Sequence, residues 1–234
     1  MTLAEMHIEF KVGLDKTDSL NYPNFEPEEI DLWLNKSQDR FVKQRYSHDP
    51  KKESLEETQK RTDDLRTIIT ETTLIPSAIQ TPVKPGGILF DLPNGTAGGP
   101  DIYWFAINEE CEIRYEDCNG SWVDERTGVY ATSHEDYNKL IYDPFNGPTK
   151  DVVLRLMHGQ WAELLTDGSF TINRYFLRYV REPRRLDIIN SPGADCELAI
   201  HTHQEICEGA VTLALENIAS PRFQSHMIAE MTQE

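Results

Sequence analysis

Positive charge is scarce in this chain: 23 lysines and arginines face 40 aspartates and glutamates, a formal net charge of −17 over 234 residues. Such a chain does not coat nucleic acid by neutralising phosphates, which takes clustered Lys and Arg. Long apolar runs are missing too, and no stretch approaches the roughly 18–20 residues of a membrane span. The opening Met1-Thr2-Leu3-Ala4-Glu5-Met6-His7 has no basic segment followed by an apolar one. No secretory signal is therefore expected, and the protein is expected to be made and used in a cytosol-like compartment. Cysteine is limited to Cys111, Cys118, Cys196 and Cys207, with no CxxC pair. In a reducing compartment these read as small buried side chains rather than disulfides.

The motifs of common chemistries are absent as well: there is no GxxxxGK[ST] loop, GxGxxG, GxSxG elbow or HExxH. Gly86-Gly87 and Gly98-Gly99 lie beside prolines and read as loops. Cys196, His201, His203 and Cys207 carry ligand types that zinc prefers, but their spacing matches no compact finger, and plain packing explains them better. Paired carboxylates at Glu109-Glu110, Glu116-Asp117 and Asp124-Glu125 cannot be told from the acidic background as a glycosidase-type pair. No catalytic residue and no cofactor is expected.

What is present is ordinary globular material, 38% hydrophobic and 27% charged. Residues 1–25 combine turn formers with Ile8, Phe10 and Val12 at strand period and read as an extended N-terminal arm. Pro27, preceded by Glu26 and followed by Glu28 and Glu29, opens a helix. Ile30, Trp33, Leu34, Ser37, Phe41 and Tyr46 recur at helical steps to about Ser47, with Asp31, Lys36, Asp39, Arg40 and Lys43 mostly opposite. Phe25 could staple onto Glu29 or Ile30, and Trp33 and Phe41 are expected in the core. A second helix, about 51–69, has only the thin stripe Leu55, Thr58, Thr62, Leu65 and Ile69. Residues 26–70 thus read as a helical hairpin.

From about 71 to 195 the chain is rich in short alternating runs and reads as a mostly antiparallel β-domain. Strands are expected near Ile88–Leu92, Asp101–Ile107, Cys111–Tyr115, Val152–Leu156, Trp161–Leu165 and Phe170–Val180, with a short helix at 133–142 capped by Ser133 and Asp136. Asp167-Gly168 predicts a hairpin between the last two strands. Helix returns over 196–220, with Ile206, Ala210, Leu213, Ala214 and Asn217 on one face, widened by Val211, Leu215 and Ile218. Residues 221–234 read as a C-terminal docking arm. The fold class expected is α+β: a helical platform from both chain ends around a β-rich middle.

Charge is unevenly placed. Asp101 to Lys139 holds ten acidic and three basic residues and is expected to face solvent or a lumen. The acidity of the whole chain serves solubility, or a wall past which DNA slides without sticking. Arg174, Arg178, Arg181, Arg184 and Arg185 form the opposite pole; on a strand Tyr175, Leu177 and Tyr179 face one way and Arg174, Phe176 and Arg178 the other. Such a pole binds nucleic acid or, better suited to this charge balance, acid on a neighbouring subunit.

Several phrases in order resemble head–tail connector (adaptor or ring) structural proteins of podovirus-type tailed bacteriophages, including crAss-like phages. They are Asn24-Phe25-Glu26-Pro27-Glu28-Glu29-Ile30-Asp31-Leu32-Trp33-Leu34-Asn35-Lys36-Ser37-Gln38 with Phe41-Val42, then Asp143-Pro144-Phe145 with Pro148, and Tyr175 through Pro183. Cys196-Glu197-Leu198, His203-Gln204-Glu205-Ile206, Ala210-Val211, Leu213 through Ile218, and Pro221-Arg222 complete them. The resemblance implies a homo-oligomer, a ring of about twelve copies below the portal protein, touching another tail or ring protein. DNA would pass through without specific binding, and no membrane, catalysis or cofactor is implied. The implied location is the virion neck or tail, assembled in the host bacterial cytoplasm. Arg222 and Phe223 are the expected docking contacts of the C-terminal arm. The competing class is a receptor- or carbohydrate-binding β-module of a tail or fibre, displaying Tyr103, Trp104, Trp122, Tyr130 and Trp161. A small hydrolase would need a pocket with a perturbed carboxylate or histidine.

Overall fold

A computed structural model describes residues 1–15, 25–46, 59–78, 81–95, 101–143, 145–191 and 193–217. The chain divides into two compact units, Met1–Ile68 with Pro183–Glu234, and Ile69–Glu182.

In the first unit, Leu3–Asp15 is a helix (α1), which corrects the extended N-terminal arm read from sequence. Leu3, Met6, Phe10 and Leu14 are buried at steps of three and four, while Ile8 and Val12 are exposed. Helical spacing of the larger set outweighs the short strand-like alternation. Thr2 and Glu5 close a capping box: the Glu5 amide donates to Thr2 Oγ1 (3.3 Å) and the Thr2 amide to Glu5 Oε2 (2.8 Å).

Helix α2, Pro27–Tyr46, starts as its sequence predicts, with the Glu26 amide donating to Glu29 Oε2. Phe25 meets Phe10 edge to face at 5.9 Å rather than stapling onto Glu29 or Ile30. Phe41 is buried, whereas Trp33 is half-buried beneath Lys36 Nζ, 4.4 Å from the ring centroid. The expected second helix is described only as α3, Gln59–Leu65, followed by a 3-10 turn over Arg66–Ile68; 47–58 lie outside the described residues.

Helix α5, His203–Asn217, packs on both α1 and α2 and buries Ile206, Cys207, Ala210, Val211, Ala214 and Leu215. Ser37 Oγ donates to the Ile206 carbonyl at 2.7 Å, and a Cβ at Gly209 would sit 2.6 Å from Ser37 Oγ. Glycine there sets how closely the two helices approach.

In the second unit seven strands form one curled, mostly antiparallel sheet in the order β1-β7-β3-β4-β5-β6-β2. They are β1 Ile69–Leu74, β2 Gly87–Asp91, β3 Tyr103–Glu116, β4 Trp122–Ala131, β5 Val153–His158, β6 Trp161–Leu165 and β7 Phe170–Arg181, with the short helix α4, Tyr137–Leu140, between β4 and β5. Pairing of β4 with β5 is parallel. The Pro76↔Phe90 bridge brings the chain beyond one edge strand onto the other. The core holds Phe90, Cys111, Ile113, Leu164, Ile172, Tyr175, Leu177 and Tyr179, so β7 points inward as its alternation predicts. Each such large apolar side chain contributes roughly 1.5–3 kcal/mol.

Two expectations within this unit are corrected. The runs 101–107 and 111–115 are one strand, β3, whose pairing with β7 shifts register three times, so bulges interrupt its alternation. The Asp167-Gly168 hairpin does not form. Gly168 adopts φ +86 and the Ser169 amide donates to Asp167 Oδ1, so the turn is there. Both edges of β6 are already taken by β2 and β5, however, and β7 pairs elsewhere. The tight hairpin lies instead at Gly159–Gln160, with His158 opposite Trp161.

Candidate assembly surfaces

Of the arginines singled out in the sequence, Arg174, Arg178 and Arg181 stand on β7 and each has an acidic partner in its own chain. Arg174 Nε is 3.5 Å from Glu112, Arg178 Nη1 3.1 Å from Glu71, and Arg181 Nε 3.3 Å from Asp101. In the other unit, Arg184 Nη2 is 3.4 Å from Glu197 and Arg185 Nη1 2.8 Å from Asp39. Side chains of Arg174, Arg184 and Arg185 remain more than half exposed. Exposed pairs of this kind are worth little alone and exchange partners readily. Arg222 and Phe223 lie outside the described residues.

On the outer face of β7 the chain forms an open groove of about 390 Å³. Phe176 lies in it, with Arg126 from β4 over the ring at 4.0 Å and Thr72 and Thr73 of β1 along one side. Arg126 Nη1 is 3.9 Å from Glu110, a loose pair with the arginine 65% exposed. Sequence reading placed Phe176 on this face but missed Arg126, because the two faces of β4 differ too little in polarity to show a strand alternation.

The candidate metal ligands do not converge. His201 Nε2 meets Asp64 Oδ1 at 2.7 Å, and His203 lies between the carbonyls of Met1 (3.1 Å) and Leu198 (2.9 Å). Cys196 Sγ donates to Gln38 Oε1 and Cys207 Sγ to the Met6 carbonyl. Among the described residues no group of three or more His, Cys, Asp or Glu could hold a metal ion. All four cysteines are free; three are buried, but Cys118 is exposed, against expectation, at the tip of the β3–β4 hairpin.

Buried polar groups serve structure. Glu163 is fully buried, accepting from the Lys84 amide at 2.7 Å and meeting His158 Nε2 at 2.8 Å. Glu109, inside the acidic stretch expected to face outward, turns in to meet Arg155 Nη1 at 2.9 Å. Burial raises its pKa against the pull of Arg155. The polar line of α2 was missed altogether. Asp31, read as solvent-facing, is buried; it meets His7 Nε2 at 2.7 Å and accepts from the Ile188 amide at 3.0 Å. Gln38 donates to the Arg184 carbonyl at 3.1 Å.

The aromatics that a carbohydrate platform would use are scattered. Trp122 (66%) and Tyr130 (57%) are exposed, while Tyr103, Trp104 and Trp161 are half-buried. Trp122 and Tyr130 sit near opposite ends of β4, about 26 Å apart at the usual rise per residue, so they form no single platform. No helix among the described residues is long and apolar enough to cross a membrane.

The chain matches the model of the phage tail ring protein 3/4 family over residues 1–222. It is 26% identical to "Ring protein 4/5" of Bacteroides phage crAss001 over 238 residues, covering 92% of each chain. It is also 27% identical to "Ring protein 3" of the same phage over 139 residues, which is 55% of this chain and 56%, little more than half, of that relative. The chain therefore belongs to the phage tail ring protein 3/4 family and is a structural ring protein of a crAss-like phage.

Proposed function

We propose that this chain is a subunit of a head–tail connector ring, about twelve copies surrounding the DNA exit channel below the portal protein. The match to a ring protein along 92% of both chains carries this reading. Helices from both chain ends, α1, α2 and α5, supply a platform that packs side by side around the ring, and the β unit offers its outer surface to the next tail or ring protein. Residues 221–234, with Arg222 and Phe223, act as the arm that docks on the portal. Arg174, Arg178, Arg181, Arg184 and Arg185 exchange their own acids for those of a neighbour. A net charge of −17 per copy makes the channel wall repel DNA, so it passes without binding. The subunit carries no catalysis, and it is assembled in the host bacterial cytoplasm before serving in the neck of the virion.

The test is a mass measurement of the purified full chain, alone and mixed with portal protein, with imaging of any assembly. Closed rings, free or on portal, are expected. A strict monomer that ignores portal would refute the connector role.

A further inference from the structure

The segment after α4 holds the two most exposed large apolar side chains of the described residues, Tyr142 at 86% and Phe145 at 91%. Asp143 Oδ1 accepts from the Phe145 amide at 2.9 Å, its Oδ2 accepts from Asn146 Nδ2 at 2.7 Å, and the Gly147 amide closes onto the Asp143 carbonyl at 2.9 Å. A Cβ at Gly147 would sit 2.8 Å from that carbonyl oxygen, so a side chain there would force the turn's backbone to shift. Beneath lies a packed base of Tyr137, Leu154, Leu156 and Leu165, against which Leu140 and Ile141 rest. Solvated aromatics beside a hydrogen-bonded turn carry the marks of a binding anchor, because part of the backbone ordering cost is met on folding.

We infer that Phe145, with Tyr142, docks in the Phe176–Arg126 groove of a second copy of this chain. The inference rests on the proposed ring role and deepens it. A ring closes through a heterologous contact, which needs two different complementary surfaces on one protomer. The β unit carries both, and Phe145, being exposed, does not occupy its own chain's groove. The groove offers an aromatic wall in Phe176 and volume enough for a phenyl ring. In the docked pair, Arg126, held only loosely by Glu110 in its own chain, is the cation offered to Asp143, the one carboxylate of the turn. An aromatic anchor also suits copies that each carry −17, since it needs no opposite charge on its partner.

The test keeps Phe145 and places Asn146→Cys, beside it, and Thr73→Cys together in the full chain on a Cys118→Ser background; Asn146 is exposed, and Thr73 lines the groove and is exposed. The protein is assembled with its virion partners, imaged for rings, and treated with a short bis-maleimide. A ladder of covalent multimers is expected from the double variant and from neither single one. Imaged rings without a ladder, or a cross-link from the Asn146→Cys position to a different virion protein, overturn this contact while leaving the ring role standing. Failure to form rings with any partner sinks the ring role and the contact together. Independently, Phe145→Ala is expected to weaken self-association about tenfold or more at an unchanged melting temperature; unchanged association overturns the proposal.

Discussion

Asn35 grips the backbone of Leu186 with both ends of its carboxamide: its Nδ2 donates to the Leu186 carbonyl at 2.9 Å, and its Oδ1 accepts from the Leu186 amide at 2.9 Å. With Asp31 on Ile188 and Gln38 on Arg184, one line of α2 does for the 184–188 segment what a neighbouring strand would do. The segment runs across a helix where no ladder is on offer, and its backbone groups still need partners.

Asn35→Ala is expected to orphan both groups and cost about 2–4 kcal/mol, below the sum of two fully buried unsatisfied groups at about 1–3 kcal/mol each, because both bonds are only part-buried. Asn35→Asp should rescue only part of this, because a carboxylate accepts from the Leu186 amide but repels its carbonyl. Urea unfolding of the full chain measures both, and equal stability of all three proteins would show the grip to be idle.

Asp64 joins remote parts of its unit: Oδ2 lies 2.9 Å from Arg45 Nε and Oδ1 2.7 Å from His201 Nε2, with the Asp64 side chain 3% exposed. Removing one partner of a buried pair strands the other charge. Glu205 continues to pair with Arg45 at 2.7 Å, which softens the loss. Asp64→Ala should therefore destabilise by about 3 kcal/mol, at the lower end for buried pairs. A change under about 0.5 kcal/mol, the level of an ordinary surface substitution, would contradict it.

Thiol labelling separates the four cysteines. Burial pushes Cys111 and Cys207 up to about 12 and Cys196 up to about 11, so near pH 7.5 their reactive thiolates are scarce as well as covered. One thiol, Cys118, is expected to react quickly in the native protein, and all four after denaturation. Rapid native labelling of a second site would argue against the packing of α5 or β3.

The turn at Asp143 should loosen in acid. Hydrogen bonds from Asn146, and then from the Phe145 amide, hold its pKa below the ordinary 3.8. A depressed value means that the closed turn binds a proton less readily than the open one. Its contribution is therefore full above 3.8 and is lost as pH falls through the lowered value. The exchange protection of the Phe145 amide, corrected for intrinsic rate, should drop in that window. Asp143→Ala should show the same loss at pH 6 without moving the global melting temperature.

Local signals in the sequence were enough for α2, α5 and the inward face of β7, because helical and strand periods report which side of an element avoids water. The same reasoning failed where a different signal competed. Three apolar residues at alternate positions disguised α1, although Thr2 and Glu5 were set for a capping box. Long exposed β4 was invisible since its two faces differ little in polarity. Bulges in β3 broke its alternation into two pieces.

By itself the sequence determined that the chain is acidic, mixed α and β, and built on a recognisable order of phrases that place it among phage ring proteins. Tertiary structure alone decided the rest: which strands took the two edges of β6, which arginine met which acid, and why Asp31, Asn35 and Gln38 turn inward on a helix whose charged residues elsewhere face water. Periodicity says that a residue is covered, not what covers it. Asn35 and Leu186 lie 151 positions apart, and only the folded chain brings donor and acceptor within hydrogen-bond reach.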